Sequence, residues 1–320
     1  MTDEIGAPHF APDEIIRMIR DTHLVRLGVA HPCFGGRGRH QRELGGLTRF
    51  VKRLACVYVQ RRMPETLKTP CYLVSDAHLG AAPADAERTL LVFLEQVRTD
   101  GKSLVINGDL FDFWFEWGQV IPRTGFRTLA ALAALRDADV EIVWVAGNHD
   151  CWGGDVLQHD VGVTYSLIPW RGMIGPWNAL IEHGDGSREL EDAPYRRLRT
   201  VLRHPLCSWA FRHLLHPDWA VAIAKGSSHT SRSMRPADGG SGLQRVALAQ
   251  LAAEPALDLL VFGHSHAQSL DRASGGGVYG NPGAWLDGPT ALRIDADVVE
   301  LVSYDEAGTR TLKREHRRRS

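Results

Sequence analysis

The sequence predicts an α/β fold built around a mainly parallel sheet, and three observations predict it. From residue 70 onward, apolar runs of strand length recur at intervals. The stretches between the early runs have helical character, and strands alternating with helices imply parallel pairing with buried central strands. Each run also ends in a small cluster of Asp, His, Asn and Gly, at the strand carboxyl ends where open α/β sheets bind ligands. A chain of 320 residues, 44% hydrophobic and 23% charged, has the composition of a soluble globular protein with a full core.

Taken in order, the chain opens with a compositionally separate segment. Residues 1–70 hold 12 Lys/Arg against 7 Asp/Glu, whereas the rest holds 25 against 31. Its Gly/Arg stretch at 35–46 cannot pack a core. The following LTRFVKRLACVYVQRRM (47–63) places Leu47, Phe50, Val51 and Leu54 at helical spacing beside Arg49, Lys52 and Arg53. That pattern fits an ordinary surface helix or a basic amphipathic helix that touches an anionic membrane. Residues 1–68 are therefore assigned to a basic N-terminal extension, 69–310 to the main domain and 311–320 to a frayed basic tail. The strands expected in the domain are CYLVS (71–75), SLVIN (103–107), VEIVWVA (140–146), NALIE (178–182) and LDLLVF (257–262), with a helix over 85–100. GGVYGNPG, TALRIDAD and VVELVSYD add later strands.

Several classes are excluded. A formal net charge of -1 argues against nucleic acid as a partner, and no sequence feature points to a protein partner. No stretch approaches the roughly 18 apolar residues of a spanning helix, and the first residues lack the order of a secretion signal, so the expected location is the cytoplasm. The cysteines at 33, 56, 71, 151 and 207 form no C-x-x-C pair and are expected to be reduced.

The strand-end clusters carry the chemistry. They supply Asp76 and His78, then Asp109 and Asp112, then Asn148, His149 and Asp150, then His183, and last His264 and His266. One such cluster is commonplace. Five on one sheet edge point to a shared cation, because buried carboxylates and imidazoles cost several kcal/mol unless paired or metal-bound. In an extended segment residues 76 and 78 face the same way, as do 264 and 266, so each pair can grip an ion from one loop. The metal-ligand candidates are Asp76, His78, Asp109, Asn148, His183, His264 and His266. Carboxylate, amide and imidazole without thiolate suit manganese, iron or zinc in a catalytic role. Seven ligands exceed the needs of one ion. With Asp109 bridging, one ion takes Asp76, His78 and His266, and the other takes Asn148, His183 and His264; paired ions of this kind generate hydroxide and clamp phosphoryl oxygens.

The motifs D-x-H, G-D-x-x-D, G-N-H-D, H-G-D and G-H-S-H, in this order, resemble those of the calcineurin-like metallophosphoesterases over roughly residues 71–285. The resemblance implies a four-layer αββα sandwich and two divalent metal ions on the seven ligands. It also implies that His149 contacts the phosphate and helps protonate the leaving group, oriented by Asp150 or Asp112.

Between the fourth and fifth motifs, at about 187–242, lies an insertion that reads as two or three amphipathic helices broken at Pro205 and Pro217. It is either a plain covering layer or a helical lid, with apolar surface for acyl chains and arginines for phosphate. As a lid, its substrate-binding candidates are Tyr195, Arg196, Arg199, Arg203, Trp209 and Arg232. The insertion, with GDLFDFWFEW (108–117), resembles the UDP-2,3-diacylglucosamine diphosphatases of lipid A synthesis. It is more closely similar to their relatives whose third motif is G-N-H-D; in better-known members that motif reads G-N-R-D, whereas here His149 stands in the Arg position. That resemblance implies manganese-dependent hydrolysis of the pyrophosphate of a nucleotide-activated acylated sugar, at the inner face of the cytoplasmic membrane. Other metal-dependent phosphomonoesterases or phosphodiesterases of the superfamily are the alternative.

Overall fold

The computed structural model of the protein describes residues 63–189, 191–233, 238–305 and 308–317, without the side chains of residues 84, 225, 227–233 and 305. The amphipathic segment expected over 47–63 and nearly all of the expected N-terminal extension lie outside the described residues.

The strands are β1 (Thr66–Leu67), β2 (Cys71–Val74), β3 (Ser103–Asn107), β4 (Glu141–Val145), β5 (Thr164–Ser166), β6 (Trp170–Ile174), β7 (Trp177–Ile181), β8 (Leu259–Val261), β9 (Ser269–Arg272), β10 (Val278–Asn281), β11 (Thr290–Ile294), β12 (Val298–Asp305) and β13 (Gly308–His316). The helices are α1 (Ala84–Asp100), α2 (Phe126–Asp137), α3 (Ala193–Leu202), α4 (Pro205–Leu214), α5 (Pro217–Ser233) and α6 (Ser241–Ala253), with a short π-helical turn at Val156–Asp160. They form two sheets rather than one. The first runs β1-β6-β7-β8-β10-β9 and the second β13-β12-β11-β2-β3-β4-β5. Strands β2 to β5 are mutually parallel, as are β7, β8 and β10.

Side-chain alternation along single strands explains why the sheets stack. Tyr72 and Val74 of β2 face one apolar cluster, which also holds Leu90 and Phe93 of α1 and Leu132 of α2. Cys71 and Leu73 face the opposite way, into a cluster shared with Trp177, Ala179 and Ile181 of β7 and Leu259 and Val261 of β8. On the far side Leu180, Leu260 and Tyr279 meet Leu243, Ala247 and Leu251 of α6. The layers are therefore helices, sheet, sheet, helix, the αββα sandwich. Because each central strand is apolar on both faces, its sequence shows no alternation and gives no sign of the second sheet.

Two boundaries differ from expectation. Strand β1 begins inside the expected extension, and β13 runs through the 310/311 boundary of the expected tail to His316, paired along its length with β12. Two of its basic residues are paired: Lys313 binds Asp271 at 2.6 Å and Arg314 pairs with Glu300. Exposed edge strands tolerate such charges and use them against unwanted pairing, so a basic run here is not a frayed one. The insertion folds as α3, α4 and α5, in line with the helices expected there.

Trp285 closes one end of the sandwich. It is buried, donates Nε1–H to the Ala86 carbonyl at 3.0 Å, and packs at ring-centroid distances of 5.2 Å from Phe93 and 5.8 Å from Tyr304. Trp285→Ala is expected to cost about 3–5 kcal/mol, read as a lowered midpoint in chemical denaturation; a loss below about 1 kcal/mol would contradict this packing role.

Candidate metal centre and its cavity

Every expected metal ligand follows a strand: Asp76 and His78 after β2, Asp109 after β3, Asn148 after β4, His183 after β7, and His264 and His266 after β8. The loops are stitched to one another, Asp76 N–H to the Gly108 carbonyl at 3.1 Å, His78 N–H to the Asp109 carbonyl at 2.9 Å and Gly263 N–H to the His183 carbonyl at 3.0 Å. Their backbone is not extended. Asp76, His78, Asp109, His264 and His266 have φ between 44° and 59°, and Asp139 is the one other non-glycine residue with positive φ among the described residues. The pairs 76/78 and 264/266 are thus aimed by left-handed kinks, which correct the strand pleat expected from their spacing. Left-handed backbone is costly for a residue with a Cβ and concentrates where function requires it.

The side chains converge. Asp76, His78 and His266 form one group of potential ligand atoms within 4.8 Å of each other; Asp109, His183 and His264 form a second; His78, Asp109 and His149 form a third that joins them. His78 and His266 approach Nε2 to Nε2 at 3.3 Å, Asp109 Oδ2 lies 3.3 Å from His183 Nε2, and Asp76 Oδ1 lies 3.4 Å from His266 Nε2. Asn148 Oδ1, Asp76 Oδ1 and His183 Nε2 are buried without a hydrogen-bond partner among the described residues. Buried polar atoms without hydrogen-bond partners and close ring nitrogens at one point fit a cation they would share.

Electrostatics support the same reading. Burial alone would raise Asp109, yet the imidazoles of His183 and His149 hold its carboxyl well below the usual range. Burial would lower His183, but Asp109 and Asp76 hold it well above the ordinary imidazole value, so its proton occupies the place of a cation. Burial pushes His78 down to about 4 and also lowers His264, leaving both neutral as ligation requires.

Neighbouring groups fix the ligands in place. The His183 Nδ1–H donates to the Asn107 carbonyl at 2.8 Å, which turns Nε2 inward. Asp76 Oδ2 accepts from the His264 N–H at 3.0 Å and from the Ser75 hydroxyl. Ser75 and Asn107 are absent from the expected site. Their one sequence signal is that each is a polar residue closing an apolar strand.

His149 donates Nδ1–H to the carbonyl of Asp112 at 2.8 Å, leaving Nε2 toward the centre, 4.0 Å from Asp109 Oδ2. Of the two carboxylates expected to orient His149, Asp112 lies nearby, with Oδ1 3.9 Å from Nδ1, although its carbonyl makes the bond. Both Asp150 oxygens are engaged elsewhere, by the N–H groups of Gly147 at 2.8 Å and Leu110 at 3.0 Å and by the Trp144 indole at 3.2 Å. Asp150 braces the loops, and its own geometry replaces the orienting role expected of it.

Beside this centre opens a cavity of about 630 Å³. Asp112, Asn148 and His149 form its inner end, Phe113, Phe115 and Trp152 one wall, and Leu198, Leu202, Phe211 and Ile223 of α3 to α5 the other. Phe211 anchors the insertion, 4.8 Å from Phe115 and 6.2 Å from Phe113. Of the expected substrate-binding residues, Tyr195, Arg199 and Arg203 line the cavity. Arg196 is engaged instead with the carbonyls of Gly186, Arg188 and Glu189. Trp209 is 43% exposed, lies tilted against the His213 ring and does not line the cavity. The side chain of Arg232 lies outside the described residues. The Phe113, Phe115 and Trp152 wall is missing from the expected site because only folding brings that segment opposite α4.

Two stacked sheets with cation-binding side chains gathered at one edge define a class, the metal-dependent phosphoester hydrolases. The chain belongs to the calcineurin-like phosphoesterase family, whose profile matches residues 69–268. It is similar to proteins named UDP-2,3-diacylglucosamine hydrolase. One from Porphyromonas gingivalis is 32% identical over 221 residues, covering 62% of this chain and 84% of the relative. Another from Xanthomonas oryzae pv. oryzae is 30% identical over 251 residues, covering 72% and 97%. Among solved structures, Vps29 from Entamoeba histolytica has 17% identity and a TM-score of 0.39, covering 77% of this chain and 98% of its own. No helix of the described residues is long and apolar enough to cross a membrane.

Gly147 shows how tightly the centre is built. A Cβ there would lie 2.1 Å from Asp109 Oδ1 and 2.7 Å from the Asp109 amide nitrogen. Gly147→Ala is expected to displace Asp109 and lower bound metal at least tenfold at fixed free metal, while far-ultraviolet circular dichroism stays unchanged. Full metal content in elemental analysis would show that Asp109 does not need this approach.

Proposed function

We propose that the protein hydrolyses the pyrophosphate bond of a nucleotide-activated acylated sugar, UDP-2,3-diacylglucosamine, to UMP and 2,3-diacylglucosamine 1-phosphate. One observation carries the reading: the cavity ends on Asn148 and His149 at the candidate metal centre and is walled by Phe113, Phe115, Trp152, Leu198 and Phe211. A nucleobase could stack on one of these aromatic rings, but the aliphatic side chains of the wall suit acyl chains, which gain about 0.8 kcal/mol per buried methylene. The names of the relatives point the same way.

Asp76, His78, Asp109 and His266 would hold one divalent ion, and Asp109, Asn148, His183 and His264 the other, with manganese the proposed metal and iron or zinc the alternatives. Bound ions of this kind polarise phosphoryl oxygens and offset their charge. His149, fixed by the Asp112 carbonyl, presents Nε2 to the leaving oxygen and transfers a proton there. Cavity walls position the substrate, so that energy from the remote acyl chains serves the reacting end. The insertion also exposes Leu206, Trp209, Leu214 and Trp219, which do not line the cavity, and carries the exposed Arg197. Apolar and basic groups together suit peripheral contact with the inner face of the cytoplasmic membrane, where this substrate resides.

His149→Ala is expected to lower kcat by roughly 10²–10⁴ with metal content retained; unchanged kcat would leave His149 with only a turn position.

The substrate assignment is tested by measuring kcat/KM, with manganese, for UDP-2,3-diacylglucosamine, UDP-N-acetylglucosamine and a bis-aryl phosphate, in wild type and in Leu198→Glu with Phe211→Glu. Removing both acyl chains is expected to cost at least about 10³ in kcat/KM, and the charged walls to penalise the acylated substrate far more than the aryl ester. Equal values for acylated and unacylated sugars would transfer the protein to the general phosphodiesterases.

A further inference from the structure

Asp185 follows His183 on the loop after β7, is 5% exposed, and collects side chains from the insertion. Its carboxylate accepts from the Tyr195 hydroxyl at 2.7 Å and from the guanidinium groups of Arg199 and Arg203 at 3.3 Å each. One carboxylate against two guanidiniums leaves a positive charge at the cavity wall. The two arginines are not equivalent. Arg199 also binds the Asp185 carbonyl at 2.6 Å, so both of its contacts are spent on one residue. Arg203 reaches further, placing Nη2 3.3 Å from the carbonyl of Gly147, next to Asn148. Its buried Nε has no hydrogen-bond acceptor among the described residues. Arg203 lines the cavity together with Asp112, Asn148 and His149, so it has donor capacity left where a phosphoryl group must sit.

We propose that Arg203 is a phosphoryl-contacting residue delivered from the insertion, and that Asp185 is the positioning residue that holds it at the metal centre. A guanidinium offers a planar fork of donors that suits phosphate oxygens. In free solution its flexible stem would cost entropy to order; the Asp185 carboxylate and the Gly147 carbonyl impose that order beforehand. Because the contact is to the phosphoryl group, it holds for any phosphoester this enzyme hydrolyses and does not depend on the acylated-sugar assignment.

The test is a double-mutant cycle on the manganese-loaded full-length enzyme, with a bis-aryl phosphate as substrate. Arg203→Ala is expected to lower kcat/KM by about 10²-fold, and Arg203→Lys nearly as much, since an ammonium cannot bind Asp185, Gly147 and phosphate in one fork. Asp185→Asn is expected to lose at least tenfold, and the double variant to fall within about twofold of Arg203→Ala alone, the non-additivity of a residue that acts through another. Bound metal per chain, by elemental analysis, is expected to equal wild type in all variants. Multiplicative losses in the double variant, or loss of metal in Asp185→Asn, would overturn the positioning role and leave Asp185 as a structural tie. Should Asp185→Asn fail to fold, Arg203→Ala decides alone: undiminished kcat/KM would overturn the phosphoryl contact. No acylated sugar enters the cycle, so its outcome is independent of whether UDP-2,3-diacylglucosamine is the substrate.

Discussion

Burying the Asp109 carboxylate is the constraint around which the rest of the site is arranged. A lone carboxylate this deep would be neutralised by its surroundings; here imidazoles of His78, His149 and His183 crowd it, and the His149 N–H binds its Oδ1 at 2.8 Å. Each of these imidazoles comes from a different loop, so satisfying one charge demands that strands of both sheets end at one point. Gly108 and Gly147 follow from this demand, because a Cβ at either would strike His183 or Asp109. The left-handed residues are the local cost of bringing four loops so close, and the two-sheet core behind them supplies the rigidity that keeps them in that conformation.

The same arrangement explains how the chain separates holding a cation from handling a substrate. Candidate ligands sit on short loops tied by backbone hydrogen bonds to neighbouring loops, where little can move. The cavity's second wall belongs to α3, α4 and α5, which have no fully buried large side chain among the described residues and are tied to the core by Phe211, Asp185 and the Trp152 bond to the Leu202 carbonyl at 3.1 Å. Few buried apolar contacts mark a low-stability element, suited to a wall that must let a large molecule in. A rigid centre and a loosely held wall are different mechanical requirements, met by different segments.

How much of this could be read from residues alone depends on how local the signal is. The seven candidate ligands stand out because each follows an apolar run by one to four positions, a pattern visible within ten residues of chain. Their backbone conformation is not visible, since Asp76 and His264 adopt left-handed φ only under the pull of the surrounding network. The second sheet is hidden for the reason given by Leu73 and Tyr72, consecutive residues that face different cores. In the insertion, helices and arginines are legible, but which side chains face inward is not. Trp209 looks like a wall residue by composition and points elsewhere, while Phe113 and Phe115, over 80 residues from the helices they meet, complete the cavity.

The proposed placement of Arg203 connects the wall to the chemistry. His149 reaches the inner end of the cavity from the loop after β4, and the Arg203 guanidinium reaches it from the C-terminal end of α3. Acyl chains lodged between Leu198, Leu202 and Phe115 would hold α3 against the core, and with it Arg203 against Gly147. Binding energy released far from phosphorus would then be expressed at phosphorus, which is the condition for using it to raise kcat rather than merely to tighten the complex. A small ester that leaves the wall unoccupied would still meet the centre and Arg203, held by Asp185 and Gly147, but without the added hold of filled walls on α3. On this reading, selectivity for a lipid-bearing substrate arises from coupling between two sites that are each unselective, one reading phosphate and the other apolar area.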